Sequence, residues 1–161
     1  MSKHLSVLTC DAPSTLEGDN VLLQQALLNL LYNAIDAVLH NESPLLSLSV
    51  TEAQTGDQCA ATINQPRDIT KINAKGWYVK ISVTDNGGGV PSDMIPALFE
   101  PFNANKKQQH GLGLGLSITK QITESHAGIL VYEDISNGSI FSLLLPVLTP
   151  AWSLENAAFN E

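Results

Sequence analysis

The sequence predicts a single α/β domain, on three observations. Stretches of helical period at residues 21–39 and 113–126 alternate with stretches of strand character at residues 46–50, 77–84, 128–133 and 139–145. The last two strands meet at a turn over Ser136, Asn137 and Gly138, and Asn-Gly is a hairpin signal. A chain of 161 residues, 43% hydrophobic, suits one core. The domain is expected to occupy residues 1–146, closed by Pro146, with residues 147–161 as a tail or linker.

Taken in order, residues 5–9 alternate as L-S-V-L-T, a short strand. Residues 11–18 are turn-rich, and Asp19 or Asn20 stands where a helix N-cap belongs. In the helix that follows, Leu27, Leu31, Ala34 and Val38 are expected to form the buried stripe. Asn29, Asn33, Asp36 and His40 recur at spacings of four, three and four, so they share another face. Leu28, Leu30, Ile35 and Ala37 make this helix apolar nearly all round, which predicts burial. Its polar face is then expected to line a pocket, because buried amides need partners.

Pro44 punctuates before the strand at residues 46–50. Residues 53–76 carry Gly56, Asn64, Pro66 and Asn73 and read as a surface insertion. The W-Y-V-K-I-S-V-T strand at residues 77–84 ends abruptly in D-N-G-G-G-V-P at residues 85–91. Ser92 is placed to cap a short helix reaching residue 97. Residues 98–102 are aromatic, and residues 103–110 are polar and loop-like.

Sixteen acidic against eight basic residues give a net charge of −8, which argues against a broad nucleic-acid surface. A phosphate ligand must therefore be held by backbone, a metal and a few local lysines. Cys10 and Cys59 are too few for a disulfide framework and point to a reducing compartment. Neither a membrane-length apolar run nor a signal peptide is read from the chain. A cytoplasmic module is expected, in a parent protein that can be anchored in the inner membrane through another segment.

Residues 110–117 read H-G-L-G-L-G-L-S, and Leu114, Ile118 and Ile122 then recur on one helix face. A glycine strip that opens a helix offers free N–H groups and the positive end of the helix dipole, which suits a phosphate. The dinucleotide fingerprint fails, because Leu116 and Ile118 fall where its last glycine belongs. The phosphate-loop pattern fails for want of G-K-[ST]. Alone, the strip fits either a phosphate site or a loop packed closely on a helix.

Three stretches combine: L-x-N-L-L-Y-N-A-I-D-A at residues 27–37, D-N-G-G-G-V-P at 85–91, and L-F-E-P-F followed by G-L-G-L-G-L-S within 98–117. Together, and in this order, they resemble the ATP-binding domain of bacterial sensor histidine kinases, within the ATPase superfamily shared with gyrase, Hsp90 and MutL. The last stretch looks most like kinases of the C4-dicarboxylate and nitrogen-sensing type. The resemblance implies an α/β (α+β) two-layer sandwich, the Bergerat fold, in which a mixed, mainly antiparallel sheet packs on helices and ATP lies under a mobile lid.

Residue by residue, the resemblance implies that Asn33 is the Mg²⁺ ligand and that Asn29, one turn earlier, and Lys106 are catalytic. Asp85 matches the aspartate that accepts from the adenine amino group. Gly87 and Gly89 match glycines that admit the base, and Ser139 stands where threonine is usual beside it. Gly111, Gly113 and Gly115, with Leu112 and Leu114 between them, match the phosphate-side loop. Phe99 and Phe102 match lid anchors. The chain departs from F-F-T-T-K, reading F-N-A-N-K at residues 102–106, with Lys107 beside Lys106.

The implied activity is transfer of the γ-phosphate of Mg-ATP to a histidine on a separate dimerisation domain, for passage to a response regulator. The alternatives are a water-using ATPase or clamp of the gyrase–MutL type, and a nucleotide-binding interaction module. Those clamps place glutamate where this chain has Asn29, and an amide cannot accept the proton of water. His4, His40, His110 and His126 each lack a following acidic residue, so the acceptor histidine is expected elsewhere. A cation at a helix C-terminus is the simple reading of His40 and His126.

Overall fold

The computed structural model describes residues 4–7, 16–54, 77–102 and 113–147. Among these residues two α-helices and five strands follow in the order β1 (His4–Val7), α1 (Asn20–Val38), β2 (Leu45–Gln54), β3 (Trp77–Asp85), α2 (Gly115–Ser125), β4 (Ile129–Ile135) and β5 (Gly138–Pro146). The strands form one sheet in the order β1-β2-β3-β5-β4. β1 runs parallel to β2, and every other pairing is antiparallel. The sheet is therefore mixed and mainly antiparallel, as the resemblance implied.

Both helices pack on the sheet, α1 over β2 and β3 and α2 over β4 and β5, and they pack on each other. Strand alternation sorts β5 cleanly: Phe141, Leu143 and Leu145 join the core under the helices, with Val83 of β3 and Leu130 and Tyr132 of β4. Leu144 belongs to a smaller cluster with Tyr78, Ile129 and Val131. Ser82 and Ser142, directly opposite on β3 and β5, are buried and hydrogen-bonded at 2.9 Å.

The α1 helix starts at Asp19, whose carboxylate accepts from the N–H groups of Val21 and Leu22 at 2.9 and 3.2 Å. Its buried stripe is Ala26, Leu30, Ala34 and Val38, one residue off the expected phase at its start; Leu27 and Leu31 flank it, half-buried. The expectation that α1 is buried all round is overturned. Val21, Leu28, Tyr32, Ile35 and Leu39 are exposed. A helix lying on a single sheet, with one neighbouring helix, has part of its circumference uncovered. By length and mean hydropathy, 1.2, α1 could cross a membrane, contrary to the reading of the sequence. Its buried stripe nevertheless belongs to the core shared with the sheet.

Two local expectations also change. Ser92 caps nothing: the turn at Ile95–Ala97 is a 3-10 helix led by Met94 with no side-chain cap. The strand read at residues 46–50 extends to Gln54, taking in the first two residues assigned to the insertion. The rest of that insertion lies outside the described residues. In the β4–β5 hairpin, Gly138 pairs with Ile135, so the loop itself is Ser136-Asn137. Gly138 takes a positive φ, and a Cβ there would overlap the carbonyl oxygen of Asp85.

Candidate functional site

The site is built where β3 ends. Asp85 is its last residue, and its neighbour in the sheet is Ser139 at the start of β5. Asp85 is 3% exposed. One carboxylate oxygen accepts from Ser139 Oγ at 2.6 Å, and the other from the Gly87 N–H at 2.8 Å. Each oxygen has a second lone pair, so the buried group can still accept a donor from a ligand.

Asn86 faces the other way. Its Oδ1 accepts from the Leu45 N–H at 2.9 Å and from Asn41 Nδ2 at 3.3 Å, while its Nδ2 donates to the Ser43 carbonyl at 2.9 Å. Asn41 Nδ2 also donates to the Asn86 carbonyl at 2.7 Å. The connection between α1 and β2 is thus sewn to the end of β3. Gly87 then passes close to α1: a Cβ on it would meet the carbonyl carbon and oxygen of Ala37 at 2.7 Å. Glycine is required there by contact, whatever ligand approaches. Gly88 and Gly89 follow with φ of 90° and 76°. The turn ends at Val90, whose N–H donates to the Tyr132 hydroxyl at 3.1 Å.

The polar face of α1 divides. Asn29 and Asn33 are half-buried, whereas Asp36 and His40 are exposed. Asn29 Nδ2 donates to the Gly115 carbonyl at 3.2 Å and lies 3.4 Å from Thr119 Oγ1. This ties the middle of α1 to the first turn of α2. The Asn33 side chain has no hydrogen-bond partner among the described residues. Among those residues no three His, Cys, Asp or Glu side chains gather as a metal site.

The α2 helix starts without a side-chain cap at Leu114, so its first N–H groups are available to a ligand. Gly113, before it, has φ of 68° and accepts from the Phe102 N–H at 3.1 Å. That bond joins the two ends of the segment expected to be the lid. Phe99 packs on the core, while Phe102 is 76% exposed with φ of 63°. Lys106, Gly111 and Leu112 lie outside the described residues, as do Lys107 and the lid itself.

His126 closes the far end of the helix pair. Its Nε2 accepts from the Asp19 N–H at 2.9 Å, and its Nδ1 lies 2.7 Å from the Ile122 carbonyl. A backbone N–H can only donate and a carbonyl can only accept. The ring is therefore the neutral tautomer with its proton on Nδ1. The expected cation at a helix C-terminus is replaced by a neutral link between the α1 cap and α2.

The fold thus gathers Asp85, Gly87, Gly89 and Ser139 at one turn, and Asn29, Gly115 and Leu114 at the junction of the helices. Sequence reasoning passed over Asn86, Tyr132, Thr119 and Ala37. Asn86 carried a signal, since a side chain beside a buried carboxylate in a turn has backbone to satisfy. Tyr132 carried none, because its partner Val90 is 42 residues away.

The family described as histidine kinase-, DNA gyrase B- and HSP90-like ATPases matches residues 18–149. The two-component sensor PprA of Pseudomonas aeruginosa is 32% identical over 154 residues, covering 94% of this chain and 15% of its own. The C4-dicarboxylate transport sensor DctB of Rhizobium meliloti is 31% identical over 128 residues, covering 80% of this chain and 17% of its own. The chain thus spans about a sixth of the length of these curated relatives. Among solved structures, full-length ShkA in complex with AMPPNP superposes with a TM-score of 0.57 at 27% identity, over 91% of this chain and 26% of that one. With the family matched across most of its length, on a fold and a motif order that agree, the chain belongs to the histidine kinase-, DNA gyrase B- and HSP90-like ATPases.

Proposed function

We propose that this chain is the ATP-binding catalytic domain of a sensor histidine kinase. It binds Mg-ATP and donates the γ-phosphate to a histidine on a separate dimerisation domain, in cis or in trans, and a response regulator then receives it. The observation that carries the reading is Asp85, a buried carboxylate held by Ser139 Oγ and the Gly87 N–H with acceptor capacity to spare. An acceptor at that point suits the amino group of adenine. The kinship with ShkA, solved with the ATP analogue AMPPNP, supports the same ligand class.

Asn33 suits Mg²⁺: it is a half-buried neutral oxygen donor with no partner among the described residues. Mg²⁺ keeps several waters and binds phosphates with few protein ligands, so one amide oxygen is a sufficient contribution. The start of α2 and the glycine strip, from Gly111 to Gly115 with Lys106, take the phosphates in this reading. Asn29 weighs against water activation, because its Nδ2 is engaged by α2 and its amide cannot act as a base. In this reading the domain works in the cytoplasm, and its parent can be anchored in the inner membrane through another segment.

The test is calorimetric titration with ATP and GTP, with and without Mg²⁺, on the wild type and Asn33→Ala. ATP alone should bind well, and Asn33→Ala should lose the Mg²⁺-dependent part. Labelled ATP should then mark a histidine-hairpin partner with acid-labile phosphate and leave the isolated chain unlabelled. Steady hydrolysis without a partner would favour the ATPase reading instead.

A further inference from the structure

The turn from Asp85 to Val90 carries two glycines of positive φ in its middle, Gly88 and Gly89, and no side chain of theirs can anchor it. Its position depends on its ends. The near end is set by Asp85 and by the Asn86 amide. The far end is held from β4, a strand that β5 separates from β3.

There the Tyr132 hydroxyl accepts from the Val90 N–H at 3.1 Å. The phenol ring is 6% exposed and lies against Phe141, with centroids 5.1 Å apart. Its O–H points to Asp134 Oδ1 in a long contact of 3.5 Å. Asp134 Oδ1 sits beside the turn as well, 2.8 Å from where a Gly89 Cβ would be. Packing therefore fixes the ring, and the fixed ring presents one oxygen to the turn. Burial, the first of several causes, raises the phenol above its ordinary 10.0, so the hydroxyl keeps its proton at neutral pH.

We propose that Tyr132 is a positioning residue for the nucleotide base. Through Val90 it holds residues 88–90 in place, so that the wall beside Asp85 is formed before the base arrives. A preformed wall spares the ligand the cost of ordering a glycine turn. The inference rests on the reading of Asp85 as the base acceptor.

Tyr132→Phe keeps the ring on Phe141 and removes only the hydroxyl. Its affinity for Mg-ATP should fall about 3- to 10-fold, the worth of one neutral hydrogen bond. Its affinity for Mg-tripolyphosphate, which has no base, should stay at the wild-type value. Asp134→Ala, at an exposed position, serves as a second variant: it should weaken Mg-ATP in the same direction and by less, again sparing tripolyphosphate. Equal losses for both ligands would reduce Tyr132 to a structural role and overturn the inference. So would unchanged ATP affinity in both variants. A wild type that fails to bind ATP overturns the underlying reading of Asp85 as well, which separates the two failures.

Discussion

Ser139 Oγ lies 2.6 Å from Asp85 Oδ2, across a strand pairing that joins residues 54 positions apart. The serine is itself 4% exposed, so the pair forms a dry acceptor site with one hydroxyl spent on orienting it. Asp85→Asn should weaken ATP binding roughly 10- to 150-fold, the range for one hydrogen bond to a charged group. Ser139→Ala should weaken it less, because the acceptor remains, while destabilising the fold by about 1–3 kcal/mol through a less satisfied buried carboxylate. Titration calorimetry and urea unfolding of both variants measure these. Equal affinity for ATP and GTP in the wild type would remove Asp85 from base recognition.

Gly87→Ala should destabilise the domain by about 1–3 kcal/mol, as overpacking does. The added Cβ meets the backbone of Ala37, which no rotamer change can relieve. It also meets the Ala37 methyl, at 2.5 Å, so Ala37→Gly should rescue the loss only in part. Full recovery in the double variant, by denaturant unfolding, would mean that only the Ala37 methyl was in the way.

His126→Ala should cost roughly 0.5–1.5 kcal/mol for each hydrogen bond that water does not replace, since the ring joins the caps of two helices. Long-range proton–nitrogen spectra should find the proton on Nδ1. A proton on Nε2 is incompatible with the Asp19 N–H bond and would show that the link is not made in solution.

Alkaline stability carries a signature of two buried tyrosines. Burial raises Tyr78 above 10.0, and burial first, with Asp134 and Asp85 adding and the Val90 N–H opposing, raises Tyr132. A raised value in the folded state favours folding fully below the unfolded value, near 10.0, and the advantage is lost as pH climbs through the higher folded value. Melting temperature should therefore fall above about pH 10, and Tyr132→Phe should flatten that fall. Absorbance at alkaline pH should show these phenols ionising late.

Periodicity and turn chemistry made most of the elements legible. Strand alternation placed β3 and β5 within a residue or two, the Asp19-Asn20 pair marked the start of α1, and the Asn-Gly pair marked the hairpin. The motifs marked Asp85, Asn29 and Ser139 as candidates because their residue types and order are local facts of the chain. What the sequence could not decide was which face of α1 meets the sheet, since leucines and alanines surround that helix on nearly every side. Sheet register chose Ala26, Leu30 and Ala34, and left Leu28, Tyr32 and Ile35 outside. The same register set Ser139 against Asp85 and Tyr132 against Val90, and the packing of α1 on α2 set His126 against Asp19. Hydrogen bonds between residues 42 to 107 positions apart leave no periodic trace in a sequence, because only the closing of the sheet and the crossing of the helices bring the partners within 3 Å or so of one another.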